Sequence, residues 1–434
     1  MAHHSSITDG DFAPAWWEQA ATVFILFMLS GALIGPLFAP DPPDETPMLR
    51  LFWLPVYAMT LGLLLWRIRR LPRAWPALLA IGMMILIAFA SKWWSIDPEV
   101  TQRRVIAFAL SSLFAIYLAI GYPGRRLPGI LMDASLVMAV CSLIAVFAYP
   151  TMGVHHGVND GLWRGIWYEK NQMGLVMVSG AVAAAAVLAS WPERRRRAWI
   201  TLALCTLLVV ATQSKTSLLC LVAGLGVVGG VWVMTRGGAA VGVAAIWIAV
   251  VSSALLLIIL TQEPAAILTA LGKDPSLTGR TDIWDAVMSY VSQRPWTGYG
   301  YSAFWEVDSK PADFIRLQTG WPVPSAHNGW LDLLVQVGWP ATIFVGLIVA
   351  TVTVSAVLGL FGRGRAEGAY GLAILVVFII LSLSESVVMR HQSLPWSLFL
   401  VVMTRAWMVG REPVARAAIS RHRVREALRR PAVA

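Results

Sequence analysis

What most constrains this chain is a succession of apolar stretches, each about as long as a bilayer is thick, with charge confined almost entirely to the links between them. The runs fall at about 21–39, 51–66, 76–91, 105–121, 130–149, 172–191, 198–214, 216–234, 239–260, 328–360, 370–388 and 394–410. A soluble globule has no room for them: 57% of the 434 residues are hydrophobic and only 13% are charged, against about 25% charged in an ordinary soluble domain. In hydrocarbon every backbone amide needs an internal partner, and runs of this length satisfy that requirement as helices. The chain is therefore predicted to be all-α, a polytopic integral membrane protein with about twelve transmembrane helices and one large outward-facing loop segment.

Sidedness follows from the arginines. Alternate links carry Arg67, Arg69, Arg70 and Arg73, then Arg125 and Arg126, Arg194 to Arg197, Arg236, Arg363 and Arg365, and seven arginines from Arg411 to Arg430. Cytoplasmic loops hold the excess of Lys and Arg, so these links and both termini are predicted to be cytoplasmic. Residues 1–20 form a cytoplasmic N-terminal segment, 21–410 the transmembrane domain, including an outward segment at 261–327, and 411–434 a basic cytoplasmic tail lying on lipid. Asp9, Asp11 and Glu18, with no Lys or Arg among the first twenty residues, do not make the basic start of a cleaved signal, so the first helix is expected to be retained. The net charge of +10 needs no nucleic acid as partner, because anionic membrane lipids account for it. Cys141, Cys205 and Cys220 all lie in apolar runs, which excludes a disulfide framework and a zinc spacing.

The opposite face carries loops at 92–104, 150–171 and 261–327, and three clusters there have chemical potential. Trp163 to Asn171 places Arg164, Glu169, Lys170 and Asn171 at the membrane boundary. An arginine forks onto phosphate and a lysine adds a point charge, so the group suits a diphosphate; it reads equally as an interfacial belt of Trp, Tyr and Lys. In the long segment, Asp282 to Ser292 is predicted as a helix followed by a turn at 294–300, and Arg280 stands at the helix mouth. Helix amides and a guanidinium there favour an anion, unless Asp282 simply pairs with Arg280. His327, Asn328 and Asp332 follow at the tenth run; His327 is the best candidate base, with Asp332 or Asn328 to orient it. Two spaced carboxylates, Asp282 and Asp285, are too few for a metal site. Outer aromatics Trp163, Trp167, Trp296, Tyr299, Tyr301, Trp305 and Trp321 are expected to include a stacking surface for a ligand, although a membrane belt accounts equally well for several of them.

These residues, in this order, resemble the superfamily of bacterial O-antigen ligases, O-antigen polymerases and exopolysaccharide polymerases. The resemblance runs from about 90 to 345. It rests on Ser91 to Arg104, on Arg164-Gly165 with Lys170-Asn171 and Gly174, on Gln213-Ser214-Lys215-Thr216-Ser217, on Thr278 to Trp284, on Arg294 to Gly300, and on His327 to Leu331. It implies transfer of a glycan from an undecaprenyl-diphosphate-linked donor to a sugar hydroxyl, on a glycan or lipid A core acceptor. The site would lie at the periplasmic face of the inner membrane, and the reaction would use no cofactor or metal and would invert the sugar carbon. By the same resemblance Arg164 and Arg280 hold the diphosphate and His327 serves the acceptor or the leaving phosphate. Lys170, Asn171, Lys215, Arg103, Asn328 and Trp284 bind substrate. The ligase pattern after His-Asn finds Gly338 in place but Ala341 where Gly, Thr or Tyr is usual, which leans the reading towards a polymerase. The rival class is a transporter or flippase. It calls for polar residues at mid-membrane, whereas the clear intramembrane charges are few: Asp133 near a cytoplasmic end, Glu385 near an outer end and Arg405 well inside the last span, with the polar weight in the outer loops.

Overall fold

The computed structural model describes residues 14–38, 47–157, 159–234, 280–320, 322–360 and 365–408, with the isolated positions 237 and 241. The run at 239–260, the stretch 261–279, Trp321 and the tail 411–434 lie outside the described residues. Every other predicted run is helical. The helices are α1 (Trp16–Leu29), α2 (Pro47–Trp66), α3 (Trp75–Ala90), α4 (Pro98–Gly121), α5 (Arg126–Ala148), α6 (Lys170–Ser190), α7 (Arg195–Ala211) and α8 (Lys215–Met234), then α9 (Arg280–Gln293), α10 (Lys310–Thr319), α11 (Gly329–Gly359), α12 (Arg365–Ser384) and α13 (Leu394–Trp407). Among the described residues there is no strand, only one antiparallel bridge between Val154 and Trp163. Among the described residues, seven helices are long and apolar enough to cross a membrane, and three apolar helices are shorter. The chain is an all-α polytopic membrane protein. Residues 16–20, expected in the N-terminal segment, already belong to α1.

Two helices form the heart of the bundle. The inner half of α4, from Phe114 to Gly121, is buried throughout, and it packs on α2, α3 and α13. Helix α6 is buried along almost its whole length and packs on α5, α7 and α12. Its surface of Gly174, Gly180 and Ala181 to Ala186 lets neighbours approach closely, as membrane helices need when packing rather than water drives association. A Cβ on Gly180 would strike Ser135 and Cys205, and one on Gly174 would strike Ser217. Cys205 and Cys220 are thus small buried packing residues. Leu79, Leu86, Phe147, Ile343 and Leu347 project outward from the bundle, which suits a lipid surface.

Intramembrane charges are paired at the arginine-rich end. Arg67 forks onto the buried Glu18 at 2.8 and 2.6 Å, and the hydroxyl of Tyr117 donates to the same carboxylate at 3.0 Å. Asp133 accepts from Arg194 and faces Arg197, at 2.8 and 3.1 Å. Arg405 pairs with Glu367. At the other end, α9, α10, the segment 294–305 and the start of α11 enclose a small second core of Ile283, Val287, Phe304, Ile315, Val323 and Val335. Helix α10 was not expected; Ser309 caps it and Pro311 follows in its first turn.

This cap is joined to the bundle through a break in α11. Gly338 has φ 76° and ψ 179°, and Pro340 has no N–H to give. The carbonyls of Val335 and Gln336 accept instead from Tyr299 and Gly300, each at 2.9 Å, and the Trp339 amide donates to Pro295 at 2.8 Å. The loop at 91–101 then lies on the other side of the same segment. Ile96 donates to the Tyr299 carbonyl at 3.0 Å, and the Trp94 indole donates to Thr297 at 2.8 Å. A Cβ on Gly338 would sit 2.5 Å from the Trp296 carbonyl, and one on Gly298 would meet the Gln336 backbone. Gly338→Ala and Gly298→Ala are each expected to lower stability by about 2 kcal/mol or more, from left-handed strain plus steric overlap. Gly82→Ala, with open space around it, should be neutral or slightly stabilising. Thermal unfolding of the detergent-solubilised protein measures all three.

Candidate functional site

Opposite the arginine-rich end, the loop at 154–169, the N-terminus of α9, the stretch at 323–328 and the loop at 385–393 come together. In the first of these, Gly165 adopts φ 59° against Ser142 and Met173. The Arg164 and Gly165 amides both donate to the Gly153 carbonyl at 2.9 Å. The Arg164 guanidinium is held by the carbonyls of Met152 and Thr151, at 2.8 and 3.2 Å. His155 is buried and its Nε2 accepts from the Lys170 backbone amide at 3.1 Å, so it caps α6 as a neutral ring protonated on Nδ1. Burial, followed by the charges of Arg164 and Lys170, lowers its pKa in agreement.

From the cap, Arg280 begins α9 and its guanidinium donates to the Ser384 carbonyl at 3.0 Å. It is directed to the end of α12, whereas Asp282 is exposed. The Trp284 indole donates to the Ala326 carbonyl at 2.9 Å, directly before His327. Asp332 is buried and one of its oxygens accepts both from the Trp305 indole, at 2.6 Å, and from the Ala326 amide, at 3.0 Å. His327 itself is left-handed, with φ 48°. Asn328 caps α11 by accepting from Trp330 and Leu331, at 3.0 and 3.2 Å. Neither Asp332 nor Asn328 therefore orients the imidazole as expected: one fixes the backbone before it and the other the helix after it. The carboxylate that faces His327 is Glu385, with Oε2 3.8 Å from Nδ1.

Glu169 ties the two sides. Burial raises its pKa and the neighbouring Glu385 adds to the rise, while Arg164, Lys170 and His327 oppose it. Arg164, Lys170, His327 and Glu385 thus all act on Glu169, His327 faces Glu385, and Arg280 is anchored one residue from Glu385. This end of the molecule thus brings cations of the kind that hold phosphate together with a histidine and two carboxylates. Glu385 was visible in the sequence only as an intramembrane charge near an outer end; the cost of placing a carboxylate there is the signal that marks it.

The remaining predicted residues are placed differently. Asn171 is half-buried in the first turn of α6. Lys215 is exposed at the start of α8, which abuts Gly174 through Ser217. Arg103 lines a separate cavity of about 510 Å³ with Asp97, Glu306 and Lys310, between the starts of α4 and α10. Of the aromatics, Trp167, Tyr299 and Tyr301 are buried and present no stacking face, and Trp167 donates to the Ser30 carbonyl at 2.8 Å. Trp163 packs edge-on against Phe147, Trp305 is tied to Asp332, and Trp296 is exposed.

His391 is a structural residue. Its Nε2 lies 3.0 Å from Arg104, whose guanidinium also reaches Glu306 at 3.1 Å. Burial, with Arg104, Arg390 and Arg103 adding to it, holds its pKa well below the usual value. The unfolded chain takes up a proton below about pH 6.5 that the folded ring refuses, so stability falls as pH drops through that value. His391→Gln should flatten part of this fall, read from unfolding temperatures between pH 7.5 and 5.5.

A family model described as O-antigen ligase matches residues 200–346. That stretch includes Lys215, Arg280 and His327 and stops short of Arg164 and Glu385. The chain is 27% identical over 332 residues to the exopolysaccharide production protein ExoQ of Rhizobium meliloti, covering 72% of each chain. A shorter match, 40% over 62 residues, joins 14% of this chain to 10% of the general O-oligosaccharyltransferase of Acinetobacter baylyi. With the helical membrane fold, these matches make the chain similar to members of the O-antigen ligase and polymerase superfamily.

Proposed function

We propose that the protein transfers a glycan from an undecaprenyl-diphosphate-linked donor to the hydroxyl of an acceptor sugar at the periplasmic face of the inner membrane. What supports this reading is the charged cluster at the end of the bundle opposite the arginine-rich links: His327 faces Glu385 at 3.8 Å, Arg280 holds the Ser384 carbonyl at 3.0 Å, and Arg164, His327 and Glu385 all act on Glu169. The long match to an exopolysaccharide production protein, beside a short one to an oligosaccharyltransferase, favours a polymerase acting on exopolysaccharide or O units over a ligase. The pairing of Asp133 with Arg194 and of Arg405 with Glu367 at the arginine-rich end supports a transferase over a transporter, since neither is left as a mid-membrane relay.

Arg164 and Arg280 hold the diphosphate and neutralise the charge that builds on it as the glycosidic carbon–oxygen bond breaks. His327 takes the proton from the acceptor hydroxyl, whose oxygen forms the new bond to the anomeric carbon from the side opposite the leaving group. One such in-line displacement inverts the anomeric centre. Lys170 adds positive charge, Asn171 and Lys215 extend the polar rim, and Trp284 and Asn328 set the position of His327 through its two backbone neighbours.

Arg164→Lys and Arg280→Lys keep charge but lose the planar fork, costing about 2 kcal/mol, so transfer should fall at least tenfold. His327→Ala should lose roughly 10² to 10⁴ in rate. Arg196→Lys, an exposed arginine at the opposite end, should be silent. Glycan formed from lipid-linked repeat units by membranes with equal protein content measures these; full activity in all three site variants would remove the proposal. Sidedness has its own test. A thiol probe unable to cross the inner membrane should label a cysteine placed at Asp160 and leave one placed at Arg196 untouched, and the reverse pattern would invert the orientation.

A further inference from the structure

We infer that Glu385 is a positioning residue for His327, and that the loop at 385–393 carries the means by which the base is oriented and its charged form stabilised during transfer. The inference rests on the function proposed above and names a residue that lies outside the 200–346 family match.

The geometry is that of an acid and base pair. Glu385 Oε2 lies 3.8 Å from His327 Nδ1, and both side chains are mostly shielded, at 18% and 24% exposure. That separation is in ion-pair range and one small rotation from a hydrogen bond. If Nδ1 carries the proton towards Glu385, Nε2 is the nitrogen left to accept from an acceptor hydroxyl, so a carboxylate on this side selects the useful tautomer. As Nε2 gains the acceptor's proton the ring becomes an imidazolium, and the adjacent anion offsets that charge.

Glu385 is also fixed from several directions. Its amide donates to Leu381 at 2.7 Å, its carbonyl accepts from Val387 at 2.9 Å, and Arg280 binds the carbonyl of the preceding Ser384 at 3.0 Å. Gly329, two residues after His327, packs so closely on this loop that a Cβ would meet Val388 at 2.7 Å and the Glu385 carbonyl at 3.2 Å. The same turn of chain therefore anchors an arginine assigned to the diphosphate and faces the histidine assigned to the acceptor. Other charges facing the pair are Glu169, Arg164, Lys170 and Arg280. Glu169 belongs to the bundle loop, and its substitution leaves the 3.8 Å pair in place.

The test is the rate of glycan transfer by membranes containing Glu385→Gln, Glu385→Asp or the exposed control Asp285→Asn, at matched protein level. Glu385→Gln keeps shape and loses charge. It should lower the maximal rate at least tenfold while the KM for the lipid-linked donor stays near the wild-type value, because the carboxylate acts on the base and not on the diphosphate. Glu385→Asp should recover part of the rate, and Asp285→Asn should match the wild type. A Glu385→Gln rate equal to the wild type, or a Glu385→Asp rate no higher than that of Glu385→Gln, overturns the inference. That result leaves the transferase reading standing, whereas absence of transfer by the wild-type protein from lipid-linked repeat units removes that reading itself.

Discussion

The break in α11 at Gly338 is the contact on which the outer half of the molecule depends. A helix that ran on unbroken would keep its carbonyls to itself; this one turns those of Val335 and Gln336 towards the amides of Tyr299 and Gly300. The segment at 294–301 so becomes a strip of backbone fastened on one edge to α11 and on the other to the loop at 91–101. Satisfying backbone groups this way is obligatory close to hydrocarbon, where an unpaired carbonyl costs several kcal/mol. The glycines at 298, 300 and 338 are there because backbones meet at those points, and Ser95 lies against Gly300 in the same manner.

At the opposite end the governing interaction is charge pairing. Glu18 is fully buried, an arrangement tolerable only because Arg67 binds it with two nitrogens and Tyr117 adds a third bond. Asp133 between Arg194 and Arg197, and Glu367 against Arg405, repeat the solution. The arginines that set sidedness thus also fasten helix ends: Arg67 links α1 to the end of α2, and Arg194 links the start of α7 to α5.

Much of this was legible in the sequence for physical reasons. Apolar length reports a membrane helix directly, so each described run was found. Arg164, Arg280 and His327 could be singled out because their neighbours follow a recognisable order. What was not legible depends on contacts across the fold. Asp332 sits one turn after His327 and looks like its partner, yet Trp305 and Ala326 claim its oxygen. Glu385, far along the chain, takes the position facing the ring. Trp167 and Tyr301 have the composition of a sugar-stacking face, but composition does not say which side of a loop is buried. Helix α10 is short, polar and capped by a serine, with too weak an apolar period to stand out.

Among the described residues there are two hydrophobic cores, one inside the bundle and one inside the cap, and the charged cluster is the seam between them. Arg164, Glu169 and Lys170 are carried by the bundle, and Arg280 and His327 by the cap. Substitutions packed in separate cores combine nearly additively. Under the proposed chemistry, the surface that meets an acceptor sugar is therefore free to diverge in the cap while the membrane-embedded packing stays as it is. One scaffold can then serve glycans of different composition by exchanging its smaller core alone.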